Sequence, residues 1–138
     1  MFVAAHLLAR VCLGQATGKR PNQFDLIQAC PSCGGPHGRP AVDGPVQATV
    51  SISHSDGYVA VVASPAREPV GIDVEPWGAH PRLLAASHRI LTSQEVELVR
   101  DAADPDRQLL SLWVRKEALI KIGEGSLDEL TDLFVSAD

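Results

Sequence analysis

The hydrophobic pattern of this chain changes near Pro76, and that change limits the fold more than any other feature. Three stretches before it are alternating or β-branched and predict strands: 47–53, 58–63 and 70–75. Three stretches after it predict helices: 83–91, 92–102 and 105–122. Strands followed by helices, without strict alternation, predict an α+β fold in which an antiparallel sheet is packed by helices.

The turns and ends of these stretches carry their own signals. Ser55-Asp56-Gly57 predicts the turn of a hairpin between the first two strands. Thr92-x-x-Glu95 resembles a capping box, and Pro105 suits the first turn of the last helix, which Gly123 ends. We further expect a helix over 3–14, a strand at 24–29, a loop at 30–40 and a short strand at 133–136.

The composition is that of a globular protein and excludes some classes of partner. With 138 residues and 45% hydrophobic content, one domain with a substantial core is expected. A net charge of −5 argues against nucleic acid as a partner, because nucleic-acid phosphates select basic surfaces. His6 and Arg10 interrupt an apolar start that is too short to span a bilayer, so we expect no membrane association. Three cysteines, an odd number, favour a reducing compartment, and we predict a cytoplasmic protein.

Two carboxylates, Asp73 and Glu75, stand one residue apart in the predicted strand 70–75. Because side chains alternate along a strand, both carboxylates point to the same side. Like charges this close are unfavourable unless a cation intervenes, and carboxylate oxygens suit Mg²⁺. The residues alone leave a second interpretation open, in which the strand simply ends in solvent.

The last predicted helix carries Glu117 and Lys121, which are four residues apart and therefore share a face. Glu117 is a candidate third carboxylate for the same cation, while Lys116 and Lys121 are candidate ligands of a phosphate. An ordinary Glu–Lys pair on the helix surface is the alternative, and such a pair contributes only a few tenths of a kcal/mol.

Ser53, His54 and Ser55 form a small polar segment at the end of a predicted strand. Their side chains are able to donate hydrogen bonds to a phosphate group. Arg39, which precedes Pro40, adds a fixed cation upstream. A structural histidine in a turn is the alternative for His54.

Taken together, these segments resemble the Sfp-type 4′-phosphopantetheinyl transferases. That family carries a (V/I)G(I/V)D(I/V)E motif, which matches residues 70–75, and a W-x-x-K-E-A-x-x-K motif, which matches residues 113–121. An S-H-S motif matches residues 53–55, and an upstream G-(K/R)-P motif matches residues 38–40. The resemblance extends from about residue 3 to the glycine-rich stop at 123–127.

The resemblance implies an enzyme that transfers the phosphopantetheine arm of coenzyme A to a serine of an acyl or peptidyl carrier protein and releases adenosine 3′,5′-bisphosphate. Asp73, Glu75 and Glu117 would hold Mg²⁺ on the pyrophosphate of coenzyme A. His54 would contact the 3′-phosphate, with Ser53 and Arg39 near the nucleotide. Lys121, with Lys116 nearby, would neutralise the pyrophosphate, and Glu117 or a water is the candidate base.

The chain is shorter at both ends than members of that family, which are pseudo-dimers of two α/β halves. We therefore interpret residues 1–69 as the remainder of a first half and 70–138 as the start of a second half that carries the metal site. Three outcomes follow: a small transferase that completes its sheet as a homo-oligomer, a truncated product, or an inactive remnant that binds coenzyme A or a carrier protein. The expected docking patch for an acidic carrier lies near 83–100, where His88 and Arg89 are candidates.

A different class of protein is indicated by Cys30-x-x-Cys33-x₃-His37. These three side chains are potential zinc ligands in a tight loop, with Cys12 or His6 as a candidate fourth. In that interpretation the protein is a small zinc-stabilised binding module. Free thiols in a surface loop are the alternative.

Overall fold

The computed structural model describes residues 2–30, 33–36, 38–78 and 80–136. The chain divides into two compact units, Met1–Val74 and Glu75–Asp138. Each unit has its own hydrophobic core. The combination of helices and antiparallel strands confirms the predicted α+β class.

The described part of the first unit contains one long helix, a single 3₁₀ turn at Pro21–Gln23 and four strands in two antiparallel pairs. Their bounds are α1 Phe2–Thr17, β1 Asp25–Gln28, β2 Pro40–Asp43, β3 Thr49–Ser55 and β4 Tyr58–Ser64. β1 pairs with β2, and β3 pairs with β4 as a hairpin. The hairpin turns at Asp56-Gly57, where both residues have positive φ (47° and 91°), the conformation of a type I′ turn. The predicted hairpin is therefore confirmed.

Helix α1 packs against the hairpin through small side chains. Ala5, Ala9 and Leu13 are buried, and Phe24 and Val50 complete this core. The helix does not end near Gly14 as expected. Glycine is accommodated inside the helix here because Lys19 and Pro21 pack closely against it. A Cβ at Gly14 would lie 2.9 Å from the carbonyl oxygen of Lys19. The stop comes at Gly18, which has φ of 72° and donates its N–H to the Gly14 carbonyl.

Among the residues of the second unit that the structure describes, three helices form: α2 Pro81–Ile90, α3 Ser93–Asp101 and α4 Pro105–Ile122. Thr92 caps α3 in a reciprocal capping box with Glu95, and Gly123 ends α4 with φ of 94°. Both of these predictions from the sequence are confirmed. Leu109 and Leu112 on α4 pack with Ile90, Leu91, Leu130 and Val135 to form the core.

Two predicted strands are wrong, and one strand was missed. Residues 70–75 form no strand, because Ile72 and Val74 donate their backbone N–H groups to serine hydroxyls rather than to strand carbonyls. Residues 133–136 also form no strand, because the N–H of Val135 donates to the Glu95 carboxylate. The missed strand is β2, whose leading proline made it resemble a continuation of the loop.

Candidate functional site

One side of β3 carries four hydroxyl side chains, the last of which is Ser55. We call the first three, Thr49, Ser51 and Ser53, the hydroxyl row. They are two residues apart, so alternation along the strand places them on the same face, opposite Val50 in the core. The hydroxyl row binds the chain that follows β4. Thr49 donates to the carbonyl of Glu68 (2.6 Å), Ser51 accepts from the N–H of Ile72 (3.3 Å), and Ser53 accepts from the N–H of Val74 (3.3 Å). The carboxylate-bearing segment is thus held in place by side chains.

The end of the hydroxyl row fixes Asp73. The Ser53 hydroxyl donates to Oδ1 of Asp73 over 2.6 Å, a short charge-assisted hydrogen bond, and its oxygen accepts from Val74. Ser53 is only 7% exposed, and Oδ2 of Asp73 is buried. A serine hydroxyl has one proton to donate, and here Asp73 accepts it. In this structure Ser53 therefore orients a carboxylate, and the placement of Ser53 near the nucleotide stays a prediction.

Glu75 begins the second unit and is half-buried. It lines a cavity of about 560 Å³ together with residues of α2 and α4. The walls are mostly apolar and include Leu83, Ile90 and Trp113, while Arg82 and His80 add polar groups. Glu75 therefore stands at the edge of a largely apolar cavity.

Lys116 is a structural residue. Its ammonium group donates to Glu95 (2.6 Å), to the carbonyl of Ile90 (2.6 Å) and to the carbonyl of Leu130 (2.7 Å). Both charged side chains are 0% exposed. An ammonium has three protons, and all three are donated within the protein. The expectation that Lys116 binds a phosphate is therefore wrong.

Glu95 is the buried residue whose tertiary role the sequence did not indicate. Its Oε2 accepts from the N–H of Thr92 and from Lys116, and its Oε1 accepts from the N–H of Val135. The capping box showed why Glu95 stands near the start of α3, but nothing in the spacing showed that a lysine twenty-one residues later would reach it. This ion pair joins α3 and α4 to the segment that carries Leu130 and Val135.

Glu117 and Lys121 are both half-buried on α4. They lie one turn apart on the same face, as their spacing predicts. Successive residues of a helix are rotated by about 100°, so Glu117 points in a different direction from the buried Lys116. The three hydrogen bonds of Lys116 restrain the rotation of α4 about its axis.

The predicted nucleotide ligands His54 and Arg39 belong to the first unit and are exposed. His54 lies on β3 opposite Val59. Arg39 directly precedes β2 and lines a groove of about 440 Å³ whose wall also contains Arg67. Arg67 belongs to no sequence motif, so its position in the chain did not indicate a functional role. Its Nε donates to the side-chain oxygen of Gln47, another residue of this groove.

The chemistry of the carboxylates fits a hard divalent cation. Within residues 2–30, 33–36, 38–78 and 80–136, no three His, Cys, Asp or Glu side chains are grouped so that they could hold a metal ion. Mg²⁺ is commonly bound by one or two carboxylates together with oxygens of a substrate phosphate. Asp73, fixed by Ser53, and Glu75 provide donors of that kind. The donor set therefore suits Mg²⁺ when a phosphorylated substrate supplies the remaining oxygens.

Comparison with protein families matches part of the chain. Residues 69–136 match the model of the 4′-phosphopantetheinyl transferase superfamily. That segment contains Asp73, Glu75, Glu117 and Lys121. No curated protein matches the chain. Among the described residues, none of the helices has both the length and the apolar character needed to cross a membrane.

Proposed function

Because residues 69–136 belong to the 4′-phosphopantetheinyl transferase superfamily, we propose that the protein transfers the 4′-phosphopantetheine arm of coenzyme A to a serine of an apo carrier protein, as Sfp-type enzymes do. The serine oxygen bonds to the β-phosphorus. The bond from that phosphorus to the bridging oxygen breaks, and its electron pair leaves on adenosine 3′,5′-bisphosphate.

The observation that carries this proposal is the hydrogen bond from Ser53 to Asp73. It joins two of the motifs in the resemblance, S-H-S and G-I-D-V-E, which are twenty residues apart in the chain. A buried hydroxyl aimed at a carboxylate oxygen is the arrangement that orients metal ligands in many proteins. It gives the carboxylate of Asp73 one direction.

We assign Mg²⁺ to Asp73, Glu75 and Glu117. When bound, the ion would neutralise the pyrophosphate and draw charge from the β-phosphorus. Asp73 is oriented by Ser53, and Glu117 directly follows the buried Lys116 on α4. Glu117 also accepts the proton of the attacking serine, which makes it the general base.

Lys121 lies one turn beyond Glu117, in the last turn of α4. An ammonium at this position supplies positive charge to the departing phosphate. Unlike the planar guanidinium of arginine, it acts as a point charge, as lysine does in many phosphate sites. Lys116 is excluded from this role by its burial. We therefore assign Lys121 alone to the pyrophosphate.

We assign the nucleotide portion of coenzyme A to His54 and Arg39. Both side chains are exposed and accessible to a ligand. Arg67 adds a second guanidinium to the wall of the groove that contains Arg39. Local cations of this kind permit a protein with net charge −5 to bind a polyanion.

The carrier protein requires a separate surface. A cavity of about 430 Å³ in the second unit is lined by His88 and Arg89 of α2, by Trp113 and by Leu127. The lining also contains Asp128. Arg89 beside apolar walls suits an acidic carrier protein, because charge steers the encounter and apolar contact holds the complex. We assign carrier docking to this end of α2.

The test is incubation of the purified full chain with coenzyme A, Mg²⁺ and an apo carrier protein, with the mass of the carrier followed by mass spectrometry. We expect the phosphopantetheine mass gain with the wild type and a loss of at least about 100-fold in rate with Asp73→Asn. Asp43→Asn is the matched control, since Asp43 is an exposed carboxylate on β2 in the same unit. No mass gain with any of several carriers, in protein shown to be folded, overturns the proposal.

A further inference from the structure

Helix α1 is apolar on two opposite faces. Its inner face is buried through Ala5, Ala9 and Leu13. Its outer face carries a second set of apolar side chains, which we call the outer stripe and which are all exposed: Val3, Ala4, Leu7, Leu8 and Val11. A helix that is apolar all round is normally covered on all sides, yet the described part of the chain leaves the outer stripe open to solvent.

The spacing of the outer stripe is that of a contact between helices. Ala4, Leu7 and Val11 follow one another at intervals of three and four residues, the spacing of the positions that meet in a coiled coil. Val3 lies one turn before Leu7, and Leu8 lies one turn after Ala4, so both lie beside this seam. The small side chain of Ala4 permits close approach of a second helix. The outer stripe is therefore suited to receive another helix.

The basic side chains of α1 are held elsewhere. Arg10 donates its Nε hydrogen to the carbonyl of Phe24 over 3.1 Å, and Nε2 of His6 lies 3.2 Å from the side-chain oxygen of Gln28. Neither basic residue belongs to the outer stripe, and all five of its members are uncharged and apolar. The stripe therefore offers no charge that would attract a polyanion or an acidic protein, and its partner must present an apolar surface.

The exposed area of the outer stripe is large enough for a specific contact. Val3 is 68% exposed, Leu7 59%, Val11 43% and Leu8 37%. With Ala4, these fractions leave roughly 400 Å² of apolar surface, the size at which a patch on a monomer indicates an interaction site. Two such stripes would contribute about 800 Å², and interfaces between identical subunits are about 65% apolar. The whole interface would bury about 1,200 Å², which reaches the lower limit of specific interfaces.

We propose that the outer stripe is the contact between two copies of this chain in a two-fold symmetric dimer. In such a dimer the same surface serves both subunits, so each copy supplies the uncharged helix face that the other requires. Leu7 stands at the middle of the stripe, and a two-fold axis there brings the two copies of Leu7 together. The dimer is independent of the transfer reaction, because no residue of the outer stripe belongs to the site assigned above.

The experiment is sedimentation equilibrium of the full chain over a wide range of protein concentration. We expect a reversible equilibrium between monomer and dimer, because an interface of this area lies at the weak end of the specific class. A reducing agent and a chelator are present, so that neither a disulfide through the exposed Cys33 nor a bound metal joins two copies. His37, the third predicted zinc ligand, lies outside the described residues, and the zinc-stabilised module stays a prediction.

Two valines provide a matched pair of variants. Val11 belongs to the outer stripe and is 43% exposed, whereas Val96 lies on α3 and is 46% exposed. Val11→Glu should weaken the dimer by about 100-fold or more, because it places a carboxylate from each copy in an apolar contact. Val96→Glu introduces the same charge at equal exposure and should leave the dimer unchanged. Circular dichroism establishes that each variant is folded.

A second pair of variants tests whether the partner is another copy of the chain. Leu7→Glu and Leu7→Lys should each be monomeric alone, because like charges would meet at the two-fold axis. When the two variants are mixed at low ionic strength, we expect a heterodimer that dissociates as salt is added, since opposite charges then meet and salt screens them. Only a contact of the stripe with a second copy of itself predicts this recovery.

Four results would overturn the proposal. One is a folded wild type that is monomeric at every concentration. A dimer that Val11→Glu leaves intact, or that Val96→Glu weakens equally, is another. The third is a mixture of the two Leu7 variants that remains monomeric. The fourth is a monomer that binds phosphatidylcholine vesicles and loses this binding in Val11→Glu, which would assign the stripe to a lipid surface. None of these results bears on transfer to a carrier protein, which the mass-gain assay tests separately.

Discussion

Replacement of Lys116 by methionine tests the fully buried ion pair between Lys116 and Glu95. Methionine retains most of the side-chain volume but removes the ammonium that donates to Glu95, Ile90 and Leu130. The Glu95 carboxylate is 0% exposed and would lose the cation that balances its charge. Breaking a buried pair by removing one partner costs about 3–5 kcal/mol. That cost shifts the folding equilibrium by about 10²- to 10⁴-fold.

The assay is urea unfolding followed by tryptophan fluorescence. Both tryptophans, Trp77 and Trp113, belong to the second unit, so their fluorescence reports on the unit that contains the ion pair. The matched control is Arg100→Met, which removes an exposed ion pair with Glu97 and Asp101. Solvent screens exposed pairs, so the control should unfold at nearly the same urea concentration as the wild type.

A second variant keeps this test informative if Lys116→Met does not fold. In the double variant Glu95→Gln, Lys116→Met, a neutral amide replaces the carboxylate, and a neutral group costs less to bury than an unbalanced charge. We therefore expect the double variant to be more stable than Lys116→Met alone. If Lys116→Met is no less stable than Arg100→Met, or if the double variant is the less stable of the two, the reasoning is refuted.

Three further predictions concern the site and the loop. Ser53→Ala removes the hydrogen bond that orients Asp73, so the Mg²⁺ concentration for half-maximal transfer should rise about tenfold. An unchanged Mg²⁺ titration would contradict the positioning role of Ser53. Gly38→Ala forces a Cβ against Ala29, and thermal unfolding should show a loss of about 1–3 kcal/mol; an unchanged melting temperature would show that the contact relaxes freely. Arg89→Ala should raise KM for the carrier protein while KM for coenzyme A stays constant, and equal changes in both would place Arg89 outside the docking surface.

The local signals of the sequence were reliable where one residue decides the backbone conformation. Asp56-Gly57 determines the hairpin turn because only certain residues adopt positive φ. The capping box at Thr92 and the glycine at 123 determined the start of α3 and the end of α4 for the same kind of local reason. The strand predicted at residues 70–75 is wrong for a different reason. Alternation of apolar and polar side chains indicates an extended chain, but it cannot show which groups accept hydrogen bonds from the backbone N–H groups.

The sequence by itself determined the α+β class, the three helices of the second unit and the order of the motifs, because these depend on propensities and on spacing within short segments. Only the tertiary structure distinguished Lys116 from Lys121. Both are lysines on one helix, yet the three acceptors of Lys116 come from α3 and from the backbone of Ile90 and Leu130, all distant along the chain. Likewise, only the packing of residues 72–74 against β3 showed that Ser53 binds Asp73. Whether a polar side chain meets a ligand or another part of the protein depends on what surrounds it in space, and the sequence near that residue does not contain that information.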